Sequence, residues 1–341
     1  MSFLKNRFKH FLTAVITAFL AFIIFNTCSK NPVNGIVDLE TTPQVDDFPA
    51  WSPDGKTISF YHSGLVAYDP KTDMGEHVQD SVGLWFIAPD GSQRKKVLSG
   101  YINSSDWSPD GQWVVFGVNA QIYKARVADA SLDNSSITQL TSAGRNFFPS
   151  WSPDGKWIAY DRSLADSTGP GGIWIMNSDG NNKKSVLAGM MADWHPNKSN
   201  LIVVKGTDTL PIWMQFVIVN PFMIVAAETL DAVIDADNLY PSYSPDGLEI
   251  VFQSDLNIWK MDSSGKNLQQ LTHGKPTSIM PVFSGGMTPN WSPDGKQIVY
   301  VGPQTTLWIM DADGANKRQL TFLPEKKPAY LRKSLHTLAG H

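Results

Sequence analysis

Cysteine is nearly absent from this chain: Cys28 is the only one in 341 residues, so no internal disulfide framework exists. A chain of this length buries enough apolar surface to need neither disulfides nor a structural metal. Charge is sparse and almost balanced, with 18% charged residues and a formal net charge of −4, which excludes the basic face that nucleic-acid binding requires. No apolar run reaches the roughly 20 residues of a spanning helix; the longest, Phe11–Phe25, has about 15. Catalytic signatures are missing too. There is no Gly-x-Ser-x-Gly, and the histidines between the N-terminal region and the tail (His62, His77, His195 and His273) have no ligand-like spacing.

The N-terminus has the layout of a secretory signal. Lys5, Arg7 and Lys9 precede the apolar run, and Asn26-Thr27-Cys28-Ser29 follows it. The FNTC ending resembles the lipobox of bacterial lipoproteins, with Phe25 and Asn26 in place of the usual leucine and small residue. That resemblance implies cleavage after residue 27 and lipidation of Cys28; an uncleaved anchor is the alternative. Either reading puts the body of the chain outside the cytoplasm, tethered to a membrane.

What the chain has in excess is tryptophan and self-similarity. Aligned on one aromatic, six copies stand out: PAWSPDGKTISF, SDWSPDGQWVVF, PSWSPDGKWIAY, ADWHPNKSNLIVV, PSYSPDGLEIVF and PNWSPDGKQIVY, anchored at Trp51, Trp107, Trp151, Trp194, Tyr243 and Trp291. Neighbouring anchors lie 43 to 56 residues apart. A second half-motif follows each, as in IWIMNSDGNN and LWIMDADGAN, and four units close on a short segment ending in Leu or Leu-Thr. Ten of the twelve tryptophans occupy the two repeating aromatic positions, so they are architecture. Ser-Pro-Asp-Gly is a type I turn signature, and the flanking segments are β-branched and aromatic. Each unit therefore reads as four short strands. Since one such sheet cannot bury both faces, the units must stack and close on themselves.

The PxWSPDGxxIxF and IWxMDxDGxNxxxLT pattern resembles the TolB-like, or PD40 (WD40-like), β-propeller repeat. The resemblance implies an all-β, six-bladed propeller of four-stranded blades. The predicted organisation is a signal over 1–27, a tether over 28–47, the propeller over 48–322 and a basic tail over 323–341. TolB itself carries a further α/β domain ahead of the propeller, for which the 20 or so residues expected between Cys28 and the first repeat leave no room. The fourth unit departs most, with His195-Pro196-Asn197 at its first turn and Asn220-Pro221 at its second, and is expected to be distorted.

With strands A to D running outward, the A–B and C–D turns share one face, and the variable B–C and D–A loops share the other. Function usually lives on variable loops over a rigid scaffold, which favours the loop face. Its candidate binding residues are His62, His77, Phe147, Phe148, Met280 and Phe283. The residue before each anchor (Ala50, Asp106, Ser150, Asp193, Ser242, Asn290) should point to the channel. Asp106, Asp193 and Asn290 are then either ligand contacts or partners for neighbouring strands. The Asp311-Ala312-Asp313-Gly314 element lacks the remaining ligands of an EF-hand and reads as a turn.

These readings lead to a non-enzymatic, membrane-tethered propeller that binds an envelope protein or peptide, as a monomer, without nucleic acid, cofactor or metal. A carbohydrate-binding or metal-assisted, lyase-like propeller is the alternative, and requires carboxylates and histidines converging at the channel mouth.

Overall fold

The computed structural model describes residues 45–69, 74–77, 81–163, 169–206, 214–223, 227–230, 238–274 and 286–322. Six four-stranded antiparallel sheets follow one another along the chain, each with its strands in the order A-B-C-D. Blade 3 is typical: Asn146–Trp151, Trp157–Arg162, Gly172–Asn177 and Lys184–Leu187. The other inner strands are Val45–Trp51, Ile102–Trp107, Met190–Trp194, Asn238–Tyr243 and Met287–Trp291. Each inner strand packs on those of its two neighbours, and the sixth packs on the first. This is the six-bladed propeller that the repeat predicts. A separate unit contains the two-stranded hairpin Leu65–Asp69 with Met74–His77.

The recurrent turn shows why its residues recur. In blade 1 the Ser52 hydroxyl donates to Asp54 Oδ1 (2.7 Å) and accepts the Thr57 N–H (3.0 Å), while Asp54 Oδ1 also accepts the Lys56 N–H (3.1 Å). Gly55 sits at φ +69°, where a side chain is strained, and faces Pro293 of the preceding blade. Gly111 faces Pro53 in the same way, so Pro and Gly interlock around the turn face. Blade 4 keeps its four strands with a changed turn: His195 Nδ1 accepts the Asn197 N–H at 3.1 Å, and its ring lies 4.8 Å from that of Tyr243.

The core lies between blades. One cluster joins Trp51, Ile58 and Phe60 of blade 1 to Val299, Leu307 and Leu320 of blade 6. Burying such faces against each other is the main stabilising term, about 25 cal/mol per Å² of apolar area.

Every strand A is interrupted by a register shift just before its anchor, between the fourth and the first residue before it in five blades and between the fifth and the second in blade 2. In five blades the residue three before the anchor is left-handed: Phe48, Phe148, Met191, Tyr240 and Thr288, with φ between 44° and 55°. A β-bulge of this kind re-aims a side chain, and its recurrence at one position makes it a design feature.

Ring closure uses side chains. The Leu-Thr threonines each accept a strand-C N–H and donate to a polar side chain. Thr141 donates to Gln121 and Thr272 to Asn257, both within their own blade. Thr321 of blade 6 instead donates to Asp46 Oδ2 of blade 1 at 2.5 Å. Thr288 also donates to Asp47 Oδ1 (3.0 Å), and Arg318 to the Pro89 carbonyl (2.8 Å). The segment Ile36–Leu39, a candidate extra strand for the last blade, lies outside the described residues.

Candidate functional site

The channel has two layers with a doubled period. At the residue before the anchor, the even blades carry Asp106, Asp193 and Asn290, and the odd blades carry Ala50, Ser150 and Ser242. Each even-blade side chain reaches the next blade. Asp106 Oδ2 accepts the Trp151 N–H at 2.7 Å, Asp193 Oδ2 the Tyr243 N–H at 2.9 Å, and Asn290 Oδ1 the Trp51 N–H at 3.2 Å. Asp106 Oδ1 also takes its own neighbour's N–H, from Trp107, at 2.8 Å. Two residues deeper, the odd blades supply Phe48, Phe148 and Tyr240, whose ring centroids lie 5.4, 6.0 and 6.3 Å apart. Three bulky rings alternate with Ser104, Met191 and Thr288, and together the three rings plug the channel.

Above the plug, on the turn face, lies a well of about 210 Å³ lined by Asp106, Ser150, Asp193, Ser242 and Asn290, with Pro153, Pro196 and Pro245 at its rim. Its carboxylates keep a partly exposed edge on the well and are otherwise enclosed by protein. Enclosure pushes Asp106 up to about 6 against the opposing N–H bonds from Trp151 and Trp107. It pushes Asp193 up to about 7, with the nearby Asp106 charge adding to the rise. Two more carboxylates sit deeper. Burial raises Asp47 to about 6 and Asp161 to about 8, although Asp47 accepts the Phe48 N–H and Asp161 the Met191 N–H.

The predicted site residues separate. Asp106, Asp193 and Asn290 come together at the well, and they also tie neighbouring strands. Phe148 is part of the plug, and Phe147 is buried in the core at 3% exposure. His62 is buried, its Nδ1 2.5 Å from Asp46 and 3.0 Å from Arg94 Nη2, within the ring-closing network. His77 ends the second strand of the separate hairpin, while Cys28, Met280 and Phe283 lie outside the described residues. The Asp-x-Asp-Gly carboxylates are taken up by their own turn: Asp313 accepts the Ala315 N–H (2.9 Å) and Asp311 the Asn316 amide (2.6 Å). Among the described residues no group of three His, Cys, Asp or Glu side chains could hold a metal ion.

Sequence reasoning missed Phe48, Tyr240 and the deep carboxylates. The signal for the plug was present: odd units read aromatic-Pro-small-aromatic (FPAW, FPSW, YPSY), whereas even units read small or flexible, any residue, Asp or Asn, then Trp.

These features define a six-bladed β-propeller with a plugged channel. Solved structures of the same shape include TolB from Acinetobacter baumannii (TM-score 0.54, 18% identity, 85% of each chain) and the tricorn protease (TM-score 0.57, 17% identity). The match to the tricorn protease covers 84% of this chain but only 27% of that one. The fold is thus TolB-like. In sequence, an uncharacterized protein of Agrobacterium fabrum is 26% identical over 296 residues, covering 76% of this chain and 85% of the relative. No family model matches the chain.

Proposed function

We propose that this chain is a non-enzymatic, extracytoplasmic propeller that binds a protein or peptide partner at the turn-face well, tethered to a membrane through lipidated Cys28. The observation that carries the reading is the well itself. The plug makes it blind, so it accepts an inserted side chain or chain end and does not pass solute through. Its carboxylates are already engaged with backbone N–H groups of adjacent blades, which suits a rigid receptor surface more than proton transfer to a substrate. The signal-like N-terminus and the TolB-like fold support a place in the cell envelope.

The test is retention of a protein from envelope extract by the immobilised chain, compared with a Ser150→Trp variant whose added ring fills the well. The reading expects a protein retained by the native chain and lost by the variant. Equal retention by both, or retention of nothing, contradicts it.

A further inference from the structure

In a repeat protein the sister copies act as internal controls, and the turns of blades 4 and 5 break the rule that the others keep. Six large hydrophobic side chains are exposed among the described residues, and four belong to these turns: Phe222 (41%), Met223 (64%), Leu248 (64%) and Leu268 (39%). Phe222-Met223 stands where blades 1, 3 and 6 have Asp90-Gly91, Asp179-Gly180 and Asp313-Gly314. Leu248 stands where they have Lys56, Lys156 and Lys296, each paired with its turn aspartate at 3.5 to 3.8 Å. Leu268 stands where they have Arg94, Lys183 and Lys317, and the last two donate to the carbonyls of Gly180 and Gly314.

Phe222 packs its ring on Trp157 and Trp194 with Lys184 over it, but Leu248 and Leu268 replace solvated, bonded polar groups, and Met223 a glycine, with apolar surface that water must cover. The exchanges also alter charge. Asp246 keeps its bonds to the Ser244 hydroxyl and the Leu248 N–H, which hold its carboxyl below the usual range, but has no lysine of the kind its sisters have. Asp262, its carboxyl likewise held low by Ser264 and neighbouring N–H groups, lies at the next turn of the same blade. The sector adjoins the well, because Pro245 at the well's rim opens the turn that Leu248 closes.

The geometry points to the turn edge of blades 4 and 5 as a docking surface for a partner segment that combines apolar side chains with basic ones. This rests on the partner-binding reading above and extends it: apolar groups cover Met223, Leu248 and Leu268, and a basic group supplies the cation that Asp246 lacks.

The test uses the full chain and fluorescent peptides read by polarisation: one alternating leucine with lysine, one alternating serine with lysine, one alternating leucine with glutamate. The probed variant is Leu248→Lys with Leu268→Lys, which restores the sister residues and is expected to keep or raise the melting temperature, so lost binding is not unfolding. The expected result is binding of the leucine–lysine peptide alone, weakened about tenfold or more in the variant, the loss of at least one anchor contact. Equal binding of the serine–lysine peptide, or no change in the variant, overturns the proposal. A chain that sediments as a dimer and becomes monomeric in the variant overturns it in favour of a second copy. The Ser150→Trp variant separates the two readings: if it loses the envelope protein while the leucine–lysine peptide fails to bind the native chain, the well reading stands and this one falls.

Discussion

The Asp106 carboxylate bonds the Trp151 backbone N–H of the next blade at 2.7 Å while holding the Trp107 N–H of its own blade at 2.8 Å. One side chain therefore completes two anchors, and Asp193 and Asn290 bridge to the next anchor at two other seams. Replacing Asp106 with alanine leaves two enclosed donors without an acceptor, at roughly 1–3 kcal/mol each. Asparagine retains one acceptor, as Asn290 does naturally, so Asp106→Asn should cost clearly less than Asp106→Ala in denaturant unfolding. Equal losses would show that a single retained acceptor satisfies neither donor.

The channel carboxylates also set a pH dependence. Asp47 and Asp106 (about 6), Asp193 (about 7) and Asp161 (about 8) all lie above the unfolded value of 3.8, so the folded state holds their protons more tightly. Stability should rise as pH falls from about 8 towards 4, since the folded chain binds protons that the unfolded chain does not. Below that, the turn aspartates Asp54, Asp110, Asp154 and Asp294, whose carboxyls are held low mainly by their serine hydroxyls and turn N–H groups, lose their contribution as they protonate. Melting curves across this range should show the rise and then the fall, and Asp161→Asn should flatten the alkaline side. A melting temperature that climbs from pH 5 to pH 8 would contradict this.

The plug reverses a familiar order of substitutions. Phe148 packs against Phe48 and Tyr240 while its backbone sits at φ +48°. Alanine there removes the ring and keeps the left-handed strain, whereas glycine removes the ring and relieves the strain. Phe148→Gly should therefore be the more stable of the two by about 1 kcal/mol, although glycine usually costs more than alanine.

Among the contacts that close the ring, the Thr321 hydroxyl should have a measurable share. Thr321→Val keeps the shape but removes the bond to Asp46 and the acceptor for the Leu307 N–H. Amide exchange in blades 1 and 6 should accelerate together. In Thr141→Val, where both bonds are internal, acceleration should stay within blade 2. Local exchange in both variants would mean that the Thr321–Asp46 bond adds nothing to the other contacts across the seam.

The blade count, the turns and the anchors were legible because each repeats a residue whose chemistry has one use: Pro and Gly in the turn, Trp between blades. Asp106, Asp193 and Asn290 were legible as channel residues from strand alternation. The bulge was not, because it shifts the pairing register without changing composition, and that shift brings Phe48, Phe148 and Tyr240 together. Asp161 was hidden for a related reason: it lies in the B strand of a typical blade, and only the bulge of the next blade presents the Met191 N–H to it. Aligning six copies on tryptophan concealed the doubled period; aligning three pairs reveals it.

The most direct measurement is photo-crosslinking in living cells, with a photoreactive residue at Ser242 in the well or at His273 beyond the last strand of blade 5. A partner-binding well predicts a discrete protein adduct from Ser242 and none from His273. An adduct from His273 with none from Ser242 would place binding on the loop face and contradict the account.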